Sequence, residues 1–262
     1  MDLDQKFTVI TGASSGIGYA TAIAFAKRGK NLIVIARRQE PLEKLKQEIA
    51  IINPALTVII KLCDLSQPAN AHHLFDELKD YSIETWINNA GFGHYGTVDS
   101  QDLNKIESML HVNIEALTIL STLYTQAYHD VEGAQLINIS SRGGYTIVPD
   151  AVTYCATKFY VSAFTEGLSH ELKAAKAHLK AKVLAPAATK TEFGQVANNV
   201  TDYDYDKRFA KYHTPDQMAE FLLALYDSEY SVGEISTKDF SFSLKNGLLP
   251  YSGNTSENQL AK

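Results

Sequence analysis

Near the start of the chain, a short apolar run over residues 7–11 is joined to a helical pattern over residues 16–28 by the sequence Thr11-Gly12-Ala13-Ser14-Ser15-Gly16-Ile17-Gly18. Glycines let a backbone approach a pyrophosphate closely, and the start of a helix offers free N–H groups and a positive dipole end. Glycine turns also arise for packing reasons, and the spacing here is G-x-x-x-G-x-G rather than the common G-x-G-x-x-G. Because the loop leaves a strand and opens a helix, the sequence predicts a nucleotide-binding loop.

Outward from this loop, short β-rich runs alternate with helical patterns. Further strands are predicted at residues 31–36, 56–62, 85–88, 135–140, 181–185 and 233–237. Helices are predicted at residues 41–51, 69–80, 102–128, 152–177 and 215–226. Continuous apolar strands are typical of a parallel sheet covered on both faces. The pattern predicts an α/β fold: a doubly wound, Rossmann-type parallel sheet in three α/β/α layers, as one domain over residues 1–251.

Two segments depart from this alternation. Residues 189–213 contain no clear strand and are rich in Asn, Asp, Tyr and Lys. A long irregular insert in a compact domain is usually an active-site lid or a disordered loop, and the aromatic residues of this one favour a substrate lid. Residues 252–262 are polar, and we expect a flexible C-terminal tail.

Composition narrows the classes of function. The chain has 262 residues, a net charge of −6 and two cysteines. An acidic surface argues against nucleic acid as the main partner, and two distant cysteines argue against a disulfide framework. The sequence shows neither a membrane-spanning apolar run nor a secretory pattern at its start, so we expect a cytoplasmic protein without a membrane partner.

The end of the second predicted strand bears on which nucleotide is bound. NAD sites usually place a carboxylate at the tip of this strand to hold the ribose hydroxyls. Here the strand ends in Arg37 and Arg38, and guanidinium groups suit the 2′-phosphate of NADP. A solvated basic turn is the alternative, and the nearby Glu40 weakens the argument. We expect NADP(H) to be preferred, with NAD(H) possible.

Tyr154 and Lys158 are four residues apart on a predicted helix, which places them on one face. A free tyrosine titrates near pH 10 and is a poor base at neutral pH. A nearby ammonium favours the phenolate, so Lys158 is expected to lower the pKa of Tyr154 and make it a general acid–base. Such a pair occurs by chance on many helices and needs context.

That context is a set of five motifs in order: Thr11–Gly18, Asn88-Asn89-Ala90-Gly91, Asn113, Ser140-Ser141 and Tyr154-x-x-x-Lys158. In this order and spacing the chain resembles the short-chain dehydrogenase/reductase family, in its single-domain branch, over about residues 5–193. The resemblance implies an oxidoreductase that transfers a hydride between a nicotinamide cofactor and a carbonyl or secondary alcohol. It also implies a homodimer or homotetramer formed through the helices at 102–128 and 152–177.

The resemblance also implies roles for individual residues. Ser141 corresponds to the catalytic serine that hydrogen-bonds the substrate oxygen, and Tyr154 to the acid–base. Lys158 would hold the nicotinamide ribose, and Asn113 would hold a water linking it to solvent. The other residues expected at the cofactor are Gly12, Ser14, Ser15, Gly16, Ile17, Gly18, Arg37, Arg38, Asp64, Leu65, Asn89, Ala90, Gly91, Pro186, Thr189 and Thr191. Asp64 could equally cap a helix, and Asn88–Gly91 could be a plain turn.

The sequence departs from the family in two places. The family usually has Pro-Gly after the sixth strand, whereas this chain has Pro186-Ala187. Either Thr189 or Thr191 could then meet the cofactor, and family spacing favours Thr191. The segment after Gly233 lacks the usual family ending, which leaves the C-terminal wall of the substrate pocket undefined.

Other functions and other residues need weighing. An NADP-dependent epimerase or dehydratase keeps the Tyr-x-x-x-Lys pair but is usually longer. A non-catalytic nucleotide sensor would be favoured by a missing catalytic residue, and all four are present. His72 and His73 have no further ligands spaced for a metal, so no metal site is expected. His94 and Tyr95 either line the pocket or lie in an exposed loop, and Trp86 and Cys155 are expected to pack in the core.

Overall fold

The computed structural model describes residues 5–252 and places every strand in one sheet. The strand order is β3-β2-β1-β4-β5-β6-β7-β8. Strands β1 to β7 are parallel, and β8 pairs antiparallel with β7. The strands are β1 (Lys6–Thr11), β2 (Asn31–Ala36), β3 (Val58–Leu62), β4 (Ser82–Asn88), β5 (Gln135–Ile139), β6 (Lys180–Ala185), β7 (Val232–Ile235) and β8 (Phe242–Lys245).

Helices cover both faces of this sheet. They are α1 (Gly16–Lys27), α2 (Gln39–Ile52), α3 (Asn70–Leu78), α4 (Leu103–Leu110), α5 (Leu117–Tyr128), α6 (Val152–Ala174), α7 (Phe193–Asn198), α8 (Tyr205–Arg208) and α9 (Pro215–Asp227). One core cluster lies between the sheet and α1, α2 and α9, and a second lies between the sheet and α3, α5 and α6. The predicted three-layer, doubly wound fold is confirmed.

Strand β2 shows why continuous apolar runs indicate this architecture. Residues 32–35 are all fully buried. Because successive side chains of a strand point to opposite faces, Val34 packs in the first core cluster while Ile33 and Ile35 pack in the second. A strand with one solvated face would instead alternate apolar and polar residues.

The structure differs from the sequence prediction in three elements. The helix predicted over 102–128 is interrupted by a π-helical turn at His111–Ala116, which divides it into α4 and α5. The predicted irregular segment 189–213 contains the two short helices α7 and α8. Strand β8 was not predicted, because it has only four residues, and so short a run shows too little alternation to distinguish a strand from a loop.

The topology fixes where a ligand site can form. The chain crosses from one half of the sheet to the other between β1 and β4, which are neighbours in the sheet. In open α/β sheets such a switch point leaves a crevice at the carboxyl ends of the strands. The loops that follow β1, β4 and β5 meet there. No helix within residues 5–252 is long and apolar enough to cross a membrane. The predicted tail falls almost entirely on residues 253–262, outside the described part of the chain.

Candidate active site

The loop between β1 and α1 packs directly against the end of β4. The side-chain nitrogen of Asn89 donates to the carbonyls of Thr11 and Gly12 at 2.9 and 3.2 Å. The Thr11 hydroxyl accepts from the backbone N–H groups of Asn89 and Ala90, each at 3.0 Å. A Cβ on Gly12 would lie 2.9 Å from the Asn89 side-chain nitrogen, and one on Gly18 would lie closer still. These two glycines are therefore required by the packing of the chain against itself, besides any role toward a ligand.

The start of α1 is the part of this loop suited to an anion. Ser15 precedes the helix and makes no side-chain capping hydrogen bond among the described residues, and the first turn contains no acidic residue. The Arg38 guanidinium, just past the end of β2, donates to the Ser14 hydroxyl at 3.3 Å. A helix N-terminus, a hydroxyl and a guanidinium thus adjoin one another. This donor set fits a dinucleotide, with the helix end toward the pyrophosphate and Arg38 toward a 2′-phosphate.

Tyr154 and Lys158 lie one turn apart on α6, and both are buried. The Lys158 ammonium donates to the Ile139 carbonyl at 2.9 Å and lies 5.9 Å from the centre of the Tyr154 ring. Ser141 follows β5, and its hydroxyl accepts from the Gly143 N–H at 3.0 Å. The Ser141 hydroxyl also lies close enough to the Tyr154 phenol to lower its pKa. The structure thus brings the three predicted catalytic side chains together.

Burial governs the protonation of this cluster. It raises the pKa of Tyr154 above its usual value near 10, outweighing the hydrogen bond with Ser141, which lowers it. Burial also lowers the pKa of Lys158 to about 8. The expectation that Lys158 lowers the pKa of Tyr154 is therefore not met, because desolvation sets the direction of the shift and Lys158 is not among its causes. At neutral pH the phenol carries its proton and Lys158 carries its charge.

Asn113 lies in the π-helical turn and is fully buried. Its amide nitrogen donates to the Phe92 carbonyl at 2.9 Å and to the Thr157 hydroxyl at 3.0 Å, while its oxygen accepts from the Phe92 N–H at 3.1 Å. A Cβ on Gly91 would lie 3.0 Å from the Asn113 oxygen and 3.3 Å from the Lys158 nitrogen. Asn113 therefore fixes the loop after β4 beside the lysine. Single π-helical turns of this kind are frequent at functional sites.

Two aromatic rings cover Tyr154. The ring centres of Tyr95 and Phe193 lie 5.9 and 5.3 Å from that of Tyr154, and 6.2 Å from each other. The Tyr95 N–H donates to the Ala197 carbonyl at 2.8 Å, which joins the loop after β4 to α7. Of the two alternatives for Tyr95, the structure therefore supports a wall of the pocket. The reacting group is enclosed on this side by apolar surface.

Comparison with known proteins agrees with this geometry. A family model described as short chain dehydrogenase matches residues 6–201. Dehydrogenase/reductase SDR family member 11 of Homo sapiens is 30% identical over 247 residues, covering 89% of this chain and 94% of that protein.

The chain belongs to the short-chain dehydrogenase/reductase family. It is thus an NAD(P)-dependent oxidoreductase by family, and the predicted resemblance is confirmed.

Solved structures of the family share the fold. A short-chain dehydrogenase from Sphingobium yanoikuyae in complex with NADPH is similar with a TM-score of 0.80 and 28% identity, covering 89% of each chain. The bulky-bulky ketone specific alcohol dehydrogenase from Comamonas testosteroni has a TM-score of 0.76 and 27% identity, covering 87% of this chain and 85% of that one.

The remaining residues predicted from the short-chain dehydrogenase/reductase motifs fall into two groups. Thr191 lies against the glycine loop, since a Cβ on Gly16 would be 3.0 Å from its methyl group. Thr189 is buried instead, and its hydroxyl donates to the Ala187 carbonyl at 3.0 Å. The structure therefore favours Thr191, as family spacing does. The Pro186 carbonyl accepts the Arg142 N–H at 2.8 Å, which ties it to the loop carrying Ser141.

Two predicted cofactor residues are used locally by the protein. The Asp64 carboxylate accepts from the Ser66 N–H and hydroxyl at 3.1 and 2.8 Å, so it caps the turn after β3. This is close to the capping role that the sequence left open, although it caps a turn rather than a helix. The Leu65 side chain is buried in the second core cluster.

Sequence reasoning missed one charged residue of the site. Glu192 accepts from the two terminal nitrogens of Arg38 at 2.8 and 3.4 Å. The neighbouring Phe193 is one of the aromatic residues of the segment 189–213, and the structure places its ring against that of Tyr154. Neither contact has a local signal, because each depends on the path of the loop that follows β6.

Other candidates considered from the sequence behave as packing or surface residues. Trp86 is fully buried, and Cys155 is buried with its sulfur accepting from the Val148 N–H at 3.4 Å. His72 and His73 are exposed on α3. Among residues 5–252, no group of three or more His, Cys, Asp or Glu side chains could hold a metal ion.

Proposed function

We propose that this chain is an NADP(H)-dependent oxidoreductase that interconverts a carbonyl compound and a secondary alcohol, with Tyr154 as the acid–base. The observation that carries the proposal is the convergence of Ser141, Tyr154 and Lys158 beside the Asn89–Gly91 turn and the glycine loop. When bound, the nicotinamide ring supplies or accepts the hydride.

The state of the tyrosine favours proton donation. In carbonyl reduction the carbon–oxygen π bond breaks, a hydride adds to carbon, and a proton must reach the oxygen. Tyr154 holds a proton at neutral pH, because burial raises its pKa. It can therefore donate that proton to the developing alkoxide while Ser141 hydrogen-bonds the same oxygen. The Lys158 ammonium stabilises the phenolate that remains.

The reverse reaction makes a different demand on the same group. Alcohol oxidation requires Tyr154 as a phenolate, which burial disfavours. An additional positive charge next to the phenol would favour the phenolate. The protein's own groups are thus better prepared for reduction at neutral pH, and we propose reduction as the favoured direction.

The preference for NADP(H) rests on Arg38 and Ser14. Their contact at 3.3 Å places a guanidinium and a hydroxyl at the tip of β2, where an NAD-specific site would hold a carboxylate. Arg37 is exposed beside them. The NADPH complex of the similar Sphingobium yanoikuyae enzyme supports the same choice. NAD(H) is the weaker alternative.

We further propose that residues 189–213 form a lid over the site. Phe193 lies on Tyr154, Thr191 lies against the glycine loop, and the Ala197 carbonyl accepts from Tyr95. The lid thus contacts both the cofactor side and the substrate side. Such closure excludes water and strengthens the electrostatic interactions of the site. The substrate class that fits this wall is an apolar ketone or alcohol.

The proposal also includes a cytoplasmic homo-oligomer. Leu103 and Leu110 on α4 and Tyr160 on α6 are exposed apolar residues on the two helices expected at the interface. Light scattering on the purified chain would report the mass of the assembly.

The function is tested by incubating the protein with a panel of ketones, aldehydes and alcohols, with NADPH and NADH in parallel. We expect NADPH oxidation with apolar ketones and slower or no oxidation of NADH. Dinucleotide binding without turnover of any substrate would indicate a nucleotide sensor instead. Tighter binding of NADH than of NADPH would overturn the argument from Arg38 alone.

A further inference from the structure

A carboxylate of the lid is bound to the group proposed to bind the 2′-phosphate. Glu192 contacts both terminal nitrogens of Arg38, so it occupies one edge of the guanidinium in a two-point arrangement. The same Arg38 nitrogen that lies 2.8 Å from Glu192 lies 3.3 Å from the Ser14 hydroxyl. Thr191, which precedes Glu192 in the chain, contacts Gly16 at the start of α1. An anion of the protein itself thus lies at the anion-binding end of the cofactor site.

This carboxylate is ionised throughout the neutral range. The hydrogen bond from Arg38 is the largest cause that holds the pKa of Glu192 below its usual value, and a hydrogen bond with Ser15 adds to it. Ser15 is the residue that precedes α1, where a pyrophosphate would bind. Glu192 therefore occupies donors of Arg38 that would otherwise be offered to phosphate oxygens.

We propose that Glu192 is a specificity-determining residue that competes with the cofactor 2′-phosphate for Arg38. An arginine edge binds one carboxylate or one phosphate by two parallel hydrogen bonds, so a 2′-phosphate that binds the terminal edge of Arg38, which faces Ser14, displaces Glu192. The ribose 2′-hydroxyl of NAD(H) carries no charge and leaves the Arg38–Glu192 ion pair in place. Glu192 therefore weakens the binding of NADP(H) and not that of NAD(H). It thus reduces the preference for NADP(H) over NAD(H) that Arg38 creates. This inference rests on the proposed function, because it assumes a dinucleotide at this site.

The expected effect is modest, since the side chains of Arg38 and Glu192 are 49% and 50% exposed. Exposed ion pairs contribute at most about 1 kcal/mol, which corresponds to about a fivefold change in a dissociation constant. Glu192→Gln should therefore lower the dissociation constant for NADPH by about threefold to fivefold. The dissociation constant for NADH should change by less than about twofold.

The test is calorimetric titration of NADPH and NADH into the full chain, in the wild type, Glu192→Gln, Arg38→Leu and the double variant. Glu43→Gln is the matched control, because it removes the same charge from an exposed position on α2. We expect Glu192→Gln to bind NADPH more tightly than the wild type and Glu43→Gln to bind it with unchanged affinity. When Arg38 is already leucine, Glu192→Gln should not change the affinity for NADPH. The gain should also diminish at high salt.

Three results would overturn the inference. They are unchanged or weaker NADPH binding in Glu192→Gln, an equal gain for NADH, or the same gain in the Arg38→Leu background. In each case the wild type still binds a dinucleotide, so the proposed function stands. Absence of binding of either dinucleotide to the wild type would overturn the proposed function itself, and this inference with it.

Discussion

Replacement of the buried Lys158 should make the folded protein more stable. Lys158 is 5% exposed, and its ammonium has one hydrogen bond, to the Ile139 carbonyl. Burial lowers its pKa from 10.5 to about 8. At 1.36 kcal/mol per pKa unit, charging this amine in the folded state costs about 3 kcal/mol at neutral pH. The hydrogen bond from a charged donor offsets about 1.5 kcal/mol of that cost. Lys158→Met should therefore raise the unfolding free energy by about 1.5 kcal/mol at pH 7.

The difference in unfolding free energy between the wild type and Lys158→Met should depend on pH. Between about pH 8 and 10.5 the unfolded chain binds a proton on Lys158 that the folded chain has released. The unfolding free energy of the wild type therefore rises with pH in this window relative to the methionine variant. Because linkage stabilises the wild type by about 3 kcal/mol across this window, the advantage of Lys158→Met should be full below pH 8, vanish near the middle of the window and change sign by pH 10.5.

Lys182 provides the matched control. It is also buried, on β6, and burial lowers its pKa to about 8 as well. Its ammonium donates to three carbonyls at the end of α9, those of Leu225, Tyr226 and Ser228, at 2.9, 2.8 and 2.6 Å. Three such bonds outweigh the same desolvation cost, so Lys182→Met should lower the unfolding free energy by about 1–2 kcal/mol. The pKa values of the two buried lysines are lowered alike, yet we expect their replacement by methionine to change the free energy of unfolding in opposite directions.

The assay is urea unfolding of both variants at pH 7 and pH 10, followed by the fluorescence of the single tryptophan, Trp86, which is fully buried. A Lys158→Met variant that is less stable than the wild type at pH 7 would refute the reasoning. So would an advantage that does not change between the two pH values. Each result would mean that desolvation of Lys158 does not determine the contribution of this residue to the free energy of unfolding.

Three further predictions concern the cofactor loop and the lid. Arg38→Leu should weaken NADPH binding about tenfold or more and NADH binding by less than about twofold, as measured by calorimetry, because it removes charge-assisted hydrogen bonds to the 2′-phosphate. Gly18→Ala should destabilise the protein by about 1–3 kcal/mol, because the added Cβ would meet Asn89. The control Gly167→Ala has no atom within reach of its Cβ and should stabilise the protein by about 0.5–1 kcal/mol. Thermal unfolding of both variants measures the difference. Phe193→Ala should move the pKa of the catalytic tyrosine toward 10 by exposing it, which an NMR titration of ring-labelled tyrosine would detect; an unchanged pKa would contradict the account of its burial.

The sequence could predict the elements whose signals are local. Residues 32–35 are fully buried because a parallel sheet covers both faces of a strand, and an apolar run indicates this directly. The spacing of Tyr154 and Lys158 likewise places both on one helix face. What the sequence could not show is the packing role of Gly12 and Gly18. That role depends on Asn89, which is 78 residues from its partner Thr11 in the chain.

The charged and aromatic contacts of the lid were unpredictable for the same reason. Arg38 and Glu192 are separated by 154 residues, and only the path of the loop after β6 brings them together. The direction of the Tyr154 pKa shift also depends on three-dimensional burial, by a ring from the loop after β4 and a ring from α7. A sequence motif identifies the ionisable pair, whereas the balance between desolvation and charge belongs to the folded structure.

The central claim is that Tyr154 delivers the proton in a hydride transfer from NADPH. It is tested most directly by following deuterium from 4-deuterated NADPH into the alcohol product by mass spectrometry, in the wild type and in Tyr154→Phe. We expect deuterated alcohol from the wild type and a rate about 10²–10⁴-fold lower in the variant, with NADPH affinity within about twofold. Equal rates of deuterium transfer by both proteins would contradict the claim.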